Sequence, residues 1–356
     1  MRRLILPALC AATSALAQGG ARMGPQFVSY SLGAPSNVTI TETAIPIFAY
    51  MPLRGGISLD IGTAFAMASV KSTINGQERE SKISGLTDTQ IRATMNLGSD
   101  LVLLTAGVNI PTGKSTADTS EQMAAALIGN DFLVFPISSM GSGFGGTGGV
   151  AIAKPVGEWN LGAGLSVRTS MPFDPYEDAS GTKLRYTPGT EMRARVGLDH
   201  PYGTGRAAVG FTYSKFGDDQ FQQSIYNTGN RLLTQASLSN SILNGDYALT
   251  VWNLFRSSGT LADSTPTGTE SITDVSAAYG MRMGAGRVEP GVSFRTWSQA
   301  DIPSSFQSTV SLRYEWTSGR FGFSPMAGYT FGSMGTTTSE SASLSGFRAQ
   351  LTFRMQ

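Results

Sequence analysis

Cysteine is nearly missing from this chain of 356 residues; the only one is Cys10, close to the start. A secreted domain stapled by disulfides is thereby excluded. Histidine is as scarce, with His200 alone in "LDHPYGTG". A hydrolase needs a nucleophile beside a base, most often histidine, and one histidine in a turn-like stretch gives little to build on. No histidine, cysteine or carboxylate cluster spaced for a metal is present, so the expectation is no enzyme, no metal site and no cofactor. Long apolar runs are also missing. No segment after residue 17 holds 18 consecutive apolar residues, which leaves no transmembrane helix. Charge is sparse at 14% of residues, and with Arg2 and Arg3 set aside acidic and basic residues nearly balance. That gives no reason to expect a nucleic-acid partner.

What is present begins with "MRRLILPALCAATSALA". Two arginines, a short apolar run and small residues at Ala15 and Ala17 have the form of a secretory signal, predicted to be residues 1–17 with cleavage after Ala17. Lipid attachment at Cys10 is a poorer reading, because Leu9 stands where a small residue is needed. Residues 18–356 then form one domain. It contains all 43 glycines, and the chain's mean hydropathy is close to zero. A barrel whose apolar and polar faces alternate would average in this way.

The alternation is explicit. In "GFRAQLTFRMQ" at the C-terminus, Phe347, Ala349, Leu351, Phe353 and Met355 share one face, and Arg348, Gln350, Thr352 and Arg354 share the other. The same period runs through 159–171, 191–199, 274–283, 288–295, 310–316 and 321–331. It is looser in 38–51, 56–70, 87–97, 101–111, 147–156, 205–216, 229–240 and 245–256. These are fifteen strands, and their connections sort by length. Short ones lie near 52–55, 98–100, 157–158, 200–204, 241–244, 284–286 and 317–319. Long ones lie near 71–86, 112–146, 172–185, 217–228, 257–270, 298–306 and 332–344. Tight turns on one rim and long loops on the other are the arrangement of outer-membrane barrels. A soluble sandwich has no reason to sort its loops.

The fold predicted is therefore all-β: a transmembrane antiparallel up-and-down barrel of about 16 strands, with "QFVSYSLG" (26–33) as the first. Fourteen strands is the alternative, with the N-terminal piece inside as a plug. In lipid an open sheet edge would leave backbone groups unpaired, so the barrel must close. The apolar faces then meet lipid and the charged faces meet the lumen. Predicted lumen-lining residues are Arg92, Arg168, Arg193, Arg195, Arg282, Arg295, Arg313, Arg348 and Arg354, with Glu191, Asp274, Glu289 and Glu315 as partners. Lysine is rare by comparison, and the planar guanidinium suits a lumen because it pairs with several acceptors while staying charged.

Three further stretches bear on chemistry. "GVNIPTGKST" (107–116) lacks the glycine a phosphate-binding loop needs at Val108, and Pro111 removes a backbone donor. "GSGFGG" (141–146) precedes a strand rather than a helix, so it is not a dinucleotide fingerprint. The loop 112–146 contains "QMAAALIGNDFLVFPISSMG", too apolar for a loop lying wholly in water. It is predicted to fold inward or across the mouth, with Met123, Leu127, Phe132 and Phe135 at a constriction; packing on the rim is the plainer alternative.

"AGVNIPTGKST" also resembles a family of outer-membrane transporters associated with phenol meta-degradation, distantly similar to long-chain fatty-acid channels. The resemblance rests on Gly107, Ile110, Pro111, Thr112 and Gly113, about a dozen residues in all, with the rest alike only in architecture. It implies gradient-driven uptake of small hydrophobic or aromatic compounds. Gln356 departs from the aromatic residue with which such barrels usually end. The function expected is passive uptake of small solutes across the cell outer membrane. Lipid, a small-molecule solute and the barrel assembly machinery are the expected partners. A non-transporting barrel with a surface-binding or structural role is the alternative. An arginine-lined lumen favours anions, whereas the apolar loop favours apolar solutes.

Overall fold

A computed structural model describes residues 19–74, 76–98, 101–261, 263, 265–336 and 339–355. The signal segment read at 1–17 lies outside them, as does Gln356. The chain forms one closed antiparallel barrel of sixteen strands. In chain order, β1 has two segments, Gly20–Met23 and Gln26–Leu32. There follow β2 (Val38–Pro52), β3 (Ile57–Ile74), β4 in two segments (Gln77–Leu86 and Thr89–Leu97), β5 (Val102–Ile110), β6 (Gly145–Val156), β7 (Trp159–Ser170) and β8 (Glu191–Tyr202). The circuit continues with β9 (Gly205–Phe216), β10 (Arg231–Ile242), β11 (Gly245–Arg256), β12 (Glu270–Met283), β13 (Gly286–Gln299), β14 (Ile302–Ser318), β15 (Phe321–Gly335) and β16 (Ser341–Met355). β1 closes the barrel by pairing with β16 on one side and β2 on the other, with Arg22 opposite Arg354 and Val28 opposite Arg348. The fourteen-strand alternative is thus overturned: the N-terminal piece is a wall strand, not a plug.

The pleat is oriented as a membrane barrel requires. Trp159, Leu161, Leu165, Val167, Met192, Val196, Val292, Phe294, Val310, Leu312, Tyr329, Phe347 and Phe353 point outward and are exposed, while their strand neighbours line the interior. His200 belongs to this outer face. It lies in β8 rather than in the turn predicted from sequence, stacked on Trp159 at 4.7 Å, and its Nδ1 meets the Glu158 carbonyl at 3.0 Å.

The connections differ from expectation on one side. Loops between 111 and 144, 171 and 190, 217 and 230, and 257 and 269 are long, but those predicted at 71–86, 298–306 and 332–344 are mostly strand. β3 runs for 18 residues and β14 for 17, against 12 in each of β6 to β11. Twelve residues at about 3.4 Å each, tilted by about 40°, cover roughly 30 Å, enough to cross the bilayer. The taller strands rise beyond it, and there the pattern inverts. Val28, Tyr30, Leu32, Ile40, Val70, Ile83 and Leu344 are buried on the inner face. The outer face carries Lys71, Glu80 and Lys82, with Lys82 paired to Glu80 at 2.8 Å. Water outside and packing inside reverse the hydropathy, so a reading tuned to a lipid-facing exterior mistakes these strand ends for loops.

Candidate functional site: a loop held inside the barrel

The apolar inner wall of the tall side packs against the segment 111–144. Its helix, α1 (Gln122–Ile128), is preceded by Asp118. The Ser120 hydroxyl and the backbone N–H groups of Ser120 and Glu121 hold the Asp118 carboxyl below the usual carboxylate range. Ala124 and Ile128 turn toward the wall and are buried. Ser81, on the inner face of β4, donates to the Ser120 carbonyl at 2.5 Å and accepts from Ala124 N at 3.1 Å.

Beyond the helix the chain crosses the lumen. Phe132 stacks on Trp297 at 5.8 Å, and Phe135 meets Tyr30 edge-on at 5.5 Å. The Phe132 carbonyl accepts from Arg295 Nη1 at 3.1 Å and from Gln307 Nε2 at 2.7 Å. Asp131 pairs with Arg256 at 2.9 Å, and Arg256 also holds Glu270 at 2.6 Å. Ile137 N donates to Glu42 at 2.9 Å; Glu42 is wholly buried in the β2 wall. Phe132 is 1% exposed. We expect Phe132→Ala to cost about 3–5 kcal/mol, the usual penalty for emptying a buried aromatic site. The check is a lower midpoint for the loop region in hydrogen exchange, with the barrel strands unchanged.

Both ends of the loop are fastened at one point. A bulge at Thr87–Asp88 divides β4, shifting its pairing with β3 by one residue. A one-residue shift changes which side chains face inward: Ser81 and Ile83 above it, Gln90 and Arg92 below. The bulge turns Asp88 onto the loop. Its carboxylate accepts from Gly113 N at 3.1 Å, Asn109 Nδ2 at 2.8 Å and Ser142 N at 2.7 Å. Gly113 fits because it has no side chain: a Cβ there would stand 2.2 Å from the Met140 carbonyl and 2.6 Å from Asp88 N. The sequence "NIPTG" is therefore the docking point of the loop.

Along β1 to β8 and β16 the inner wall also bounds a cavity to which the loop contributes no residue. This cavity of about 580 Å³ is lined by Arg22, Tyr50, Asp60, Arg92, Gly107, Thr147, Arg168, Glu191, Arg193 and Arg354, among others. Arg193 pairs with Glu191 at 2.5 Å. Arg354 pairs with Glu315 at 2.8 Å, Arg313 with Glu289 at 3.2 Å, and Arg295 with Asp274 at 2.9 Å. Arg348 donates to the Tyr30 hydroxyl at 3.0 Å. Arg282 sits near the short-turn rim opposite Arg287. Arg92, Arg168 and Arg195 form no ion pair among the described residues. In the loop, Phe132 and Phe135 are buried against the wall, Leu127 is half-buried, and Met123 is exposed on α1. Sequence reasoning missed Asp88, Glu42, Gln307 and Tyr30. Each is an isolated polar or aromatic residue whose partner lies dozens of residues away, and no local spacing signals that.

No protein-family profile matches the chain, and no curated protein matches it by sequence. Solved structures do match. The ΔS2S3 mutant of TodX, a monoaromatic hydrocarbon channel, aligns over 95% of this chain and 90% of its own length, with 9% identity and a TM-score of 0.51. OprB of Pseudomonas putida aligns over 96% of both chains with 11% identity and a TM-score of 0.48. An anion-selective porin from Comamonas acidovorans aligns over 95% of this chain and 98% of its own, with 10% identity and a TM-score of 0.45. At such identities the likeness is one of fold. The fold is that of outer-membrane channels, and the chain is an outer-membrane β-barrel.

Proposed function

We propose that this barrel is a passive channel for small solutes, narrowed by the segment 111–144. The observation that carries the reading is that this segment packs inside the barrel while a charged cavity lined by none of its residues lies beside it. Ala124, Ile128, Phe132, Leu133 and Phe135 of the segment are used in packing against the wall, and the path left beside it is lined largely by charged and polar groups that suit water-soluble solutes. A second reading, aromatic solutes, is favoured by Phe48 and Tyr50, which line the same cavity; TodX, of like fold, is a monoaromatic hydrocarbon channel.

The test is ion current through the purified protein in planar bilayers, with and without residues 118–140. The deletion removes α1, Phe132 and Phe135 but leaves the Asp88 fastening. The full chain is expected to open in discrete steps and the deletion to raise single-channel conductance severalfold. Absence of current and of solute flux in both forms would sink the channel reading in favour of a non-transporting barrel.

A further inference from the structure

The cavity is not evenly lined, and the strand register shows why. Asp60, Arg92, Gly107, Thr147, Arg168 and Glu191 lie side by side in one cross-strand row over β3 to β8. Arg92 and Arg168 stand three strands apart, about 14 Å at the usual strand spacing. Between them lie only a glycine and a threonine. The result is a trough floored by Gly107 and Thr147 with a guanidinium on each bank. The floor is closely fitted: a Cβ on Gly107 would stand 3.2 Å from Thr147 Oγ1, so the threonine would have to shift slightly to admit it. The next rows add Arg193, opposite Ser166, and Arg195, opposite Gly164. A contiguous cavity of about 230 Å³ shares Arg92, Gly107, Thr147 and Arg193 with the larger one and adds Arg195 and Gly149.

Two carboxylates, Asp60 and Glu191, flank the arginines of this row, but the guanidinium groups of Arg92 and Arg168 form no ion pair among the described residues. Of the four arginines only Arg193 is ion-paired, with Glu191; Asp60 stands beside Arg92 in register without pairing to it, among the described residues. Guanidinium groups free of protein partners and facing an open trough present forked donors, the geometry that takes a carboxylate through two parallel N–H···O bonds. Glu191 beside Arg168 disfavours an anion of higher charge. We propose that the trough between Arg92 and Arg168 is a binding site for small organic carboxylates, through which they cross in preference to chloride. This rests on the barrel being an open channel.

Planar-bilayer recordings in sodium chloride with added sodium propionate test it. Propionate is expected to reduce the chloride current of the full chain in a saturable way. In the double variant Arg92→Gln/Arg168→Gln the half-blocking concentration should rise about tenfold, the loss of one to two charged contacts. Chloride conductance itself persists in that variant, so a silent bilayer would overturn the channel reading rather than the site. Arg92→Lys/Arg168→Lys keeps the charge without the fork; it should hold anion selectivity, read from reversal potential, while losing most of the block. Arg282→Gln at the rim, outside the trough, should leave the half-blocking concentration of propionate unchanged. The proposal is overturned if propionate does not block, if the glutamine pair blocks as well as the full chain, if the rim variant loses block equally, or if inorganic phosphate blocks more strongly than propionate. Heat-modifiable gel migration confirms that each variant has folded.

Discussion

Replacing Asp88 by Ala should release both ends of the inner loop. Asp88 is 7% exposed, and its carboxylate accepts three N–H groups, from Gly113, Asn109 and Ser142. Hydrogen bonds to a charged group are worth about 1.5–3 kcal/mol each, and a buried donor left without a partner adds its own desolvation cost. The three share one acceptor and do not add fully, so the expected loss is about 3–5 kcal/mol of loop docking. Thr112 contributes separately, through the Thr89 hydroxyl at 2.8 Å and the Thr87 carbonyl at 3.2 Å, and should slow the release without preventing it. The measurable results are protease cleavage between residues 114 and 141 while the barrel stays heat-modifiable, and a channel that flickers between conductance levels. Asp88→Asn should fall between, since its amide can accept from one neighbour while its N–H₂ opposes another. Asp263→Ala in the exposed 257–269 loop is the control and should leave both readouts unchanged. A protected, quiet channel in Asp88→Ala would show that the wall contacts of Phe132 and Phe135 hold the loop unaided.

How much of this could be read from sequence follows from which forces act locally. The lipid-facing halves of β7, β8, β13, β14 and β16 were legible because side chains alternate with a period of two and lipid sorts them strictly. "RYEWTS" and "RAQLTFRM" are unambiguous for that reason. The tall ends of β3, β4, β14, β15 and β16 were not, because the exterior changes from lipid to water partway along each strand. "QERESKISGL" reads as loop until Ser81 and Ile83 are seen to face a packed interior.

The site was legible in residue type but not in arrangement. That arginines would share a face with Glu191, Asp274, Glu289 and Glu315 followed from the period. Which would pair depended on register: Arg295 sits directly opposite Asp274, and Arg313 opposite Glu289. Arg92 and Arg168 each face a small residue on one side, Gly107 or Thr147, and a carboxylate on the other, Asp60 or Glu191, and a register of this kind is fixed by closure of the whole barrel. The bulge at Thr87–Asp88 is the sharpest example. It moves Arg92 into line with Asp60 and Gly107, and nothing in "LTDTQ" announces an extra residue.

The orientation of the pleat has its own decisive experiment, and the effect should be large. Leu165 lies at the middle of β7, points outward at 64% exposure, and is flanked in register by Val150 and Ala194. At the bilayer midplane an arginine on the lipid face costs about 2–4 kcal/mol. Leu165→Arg should therefore lower folding stability in liposomes by about that amount and reduce the heat-modifiable fraction in the outer membrane. Ser237, at the same depth in β10, faces inward between Ala208 and Thr250. Ser237→Arg should be close to neutral for folding, because a lumen arginine keeps its water. It should instead lower conductance, since a long side chain enters a stretch walled mainly by glycine, alanine and serine. The two substitutions introduce the same side chain at matched depth, so any difference reports the face alone. Equal destabilisation by both would mean that the lumen at that height is dry. Tolerance of both would mean that β7 does not touch lipid, and the barrel would then bury that face against a partner.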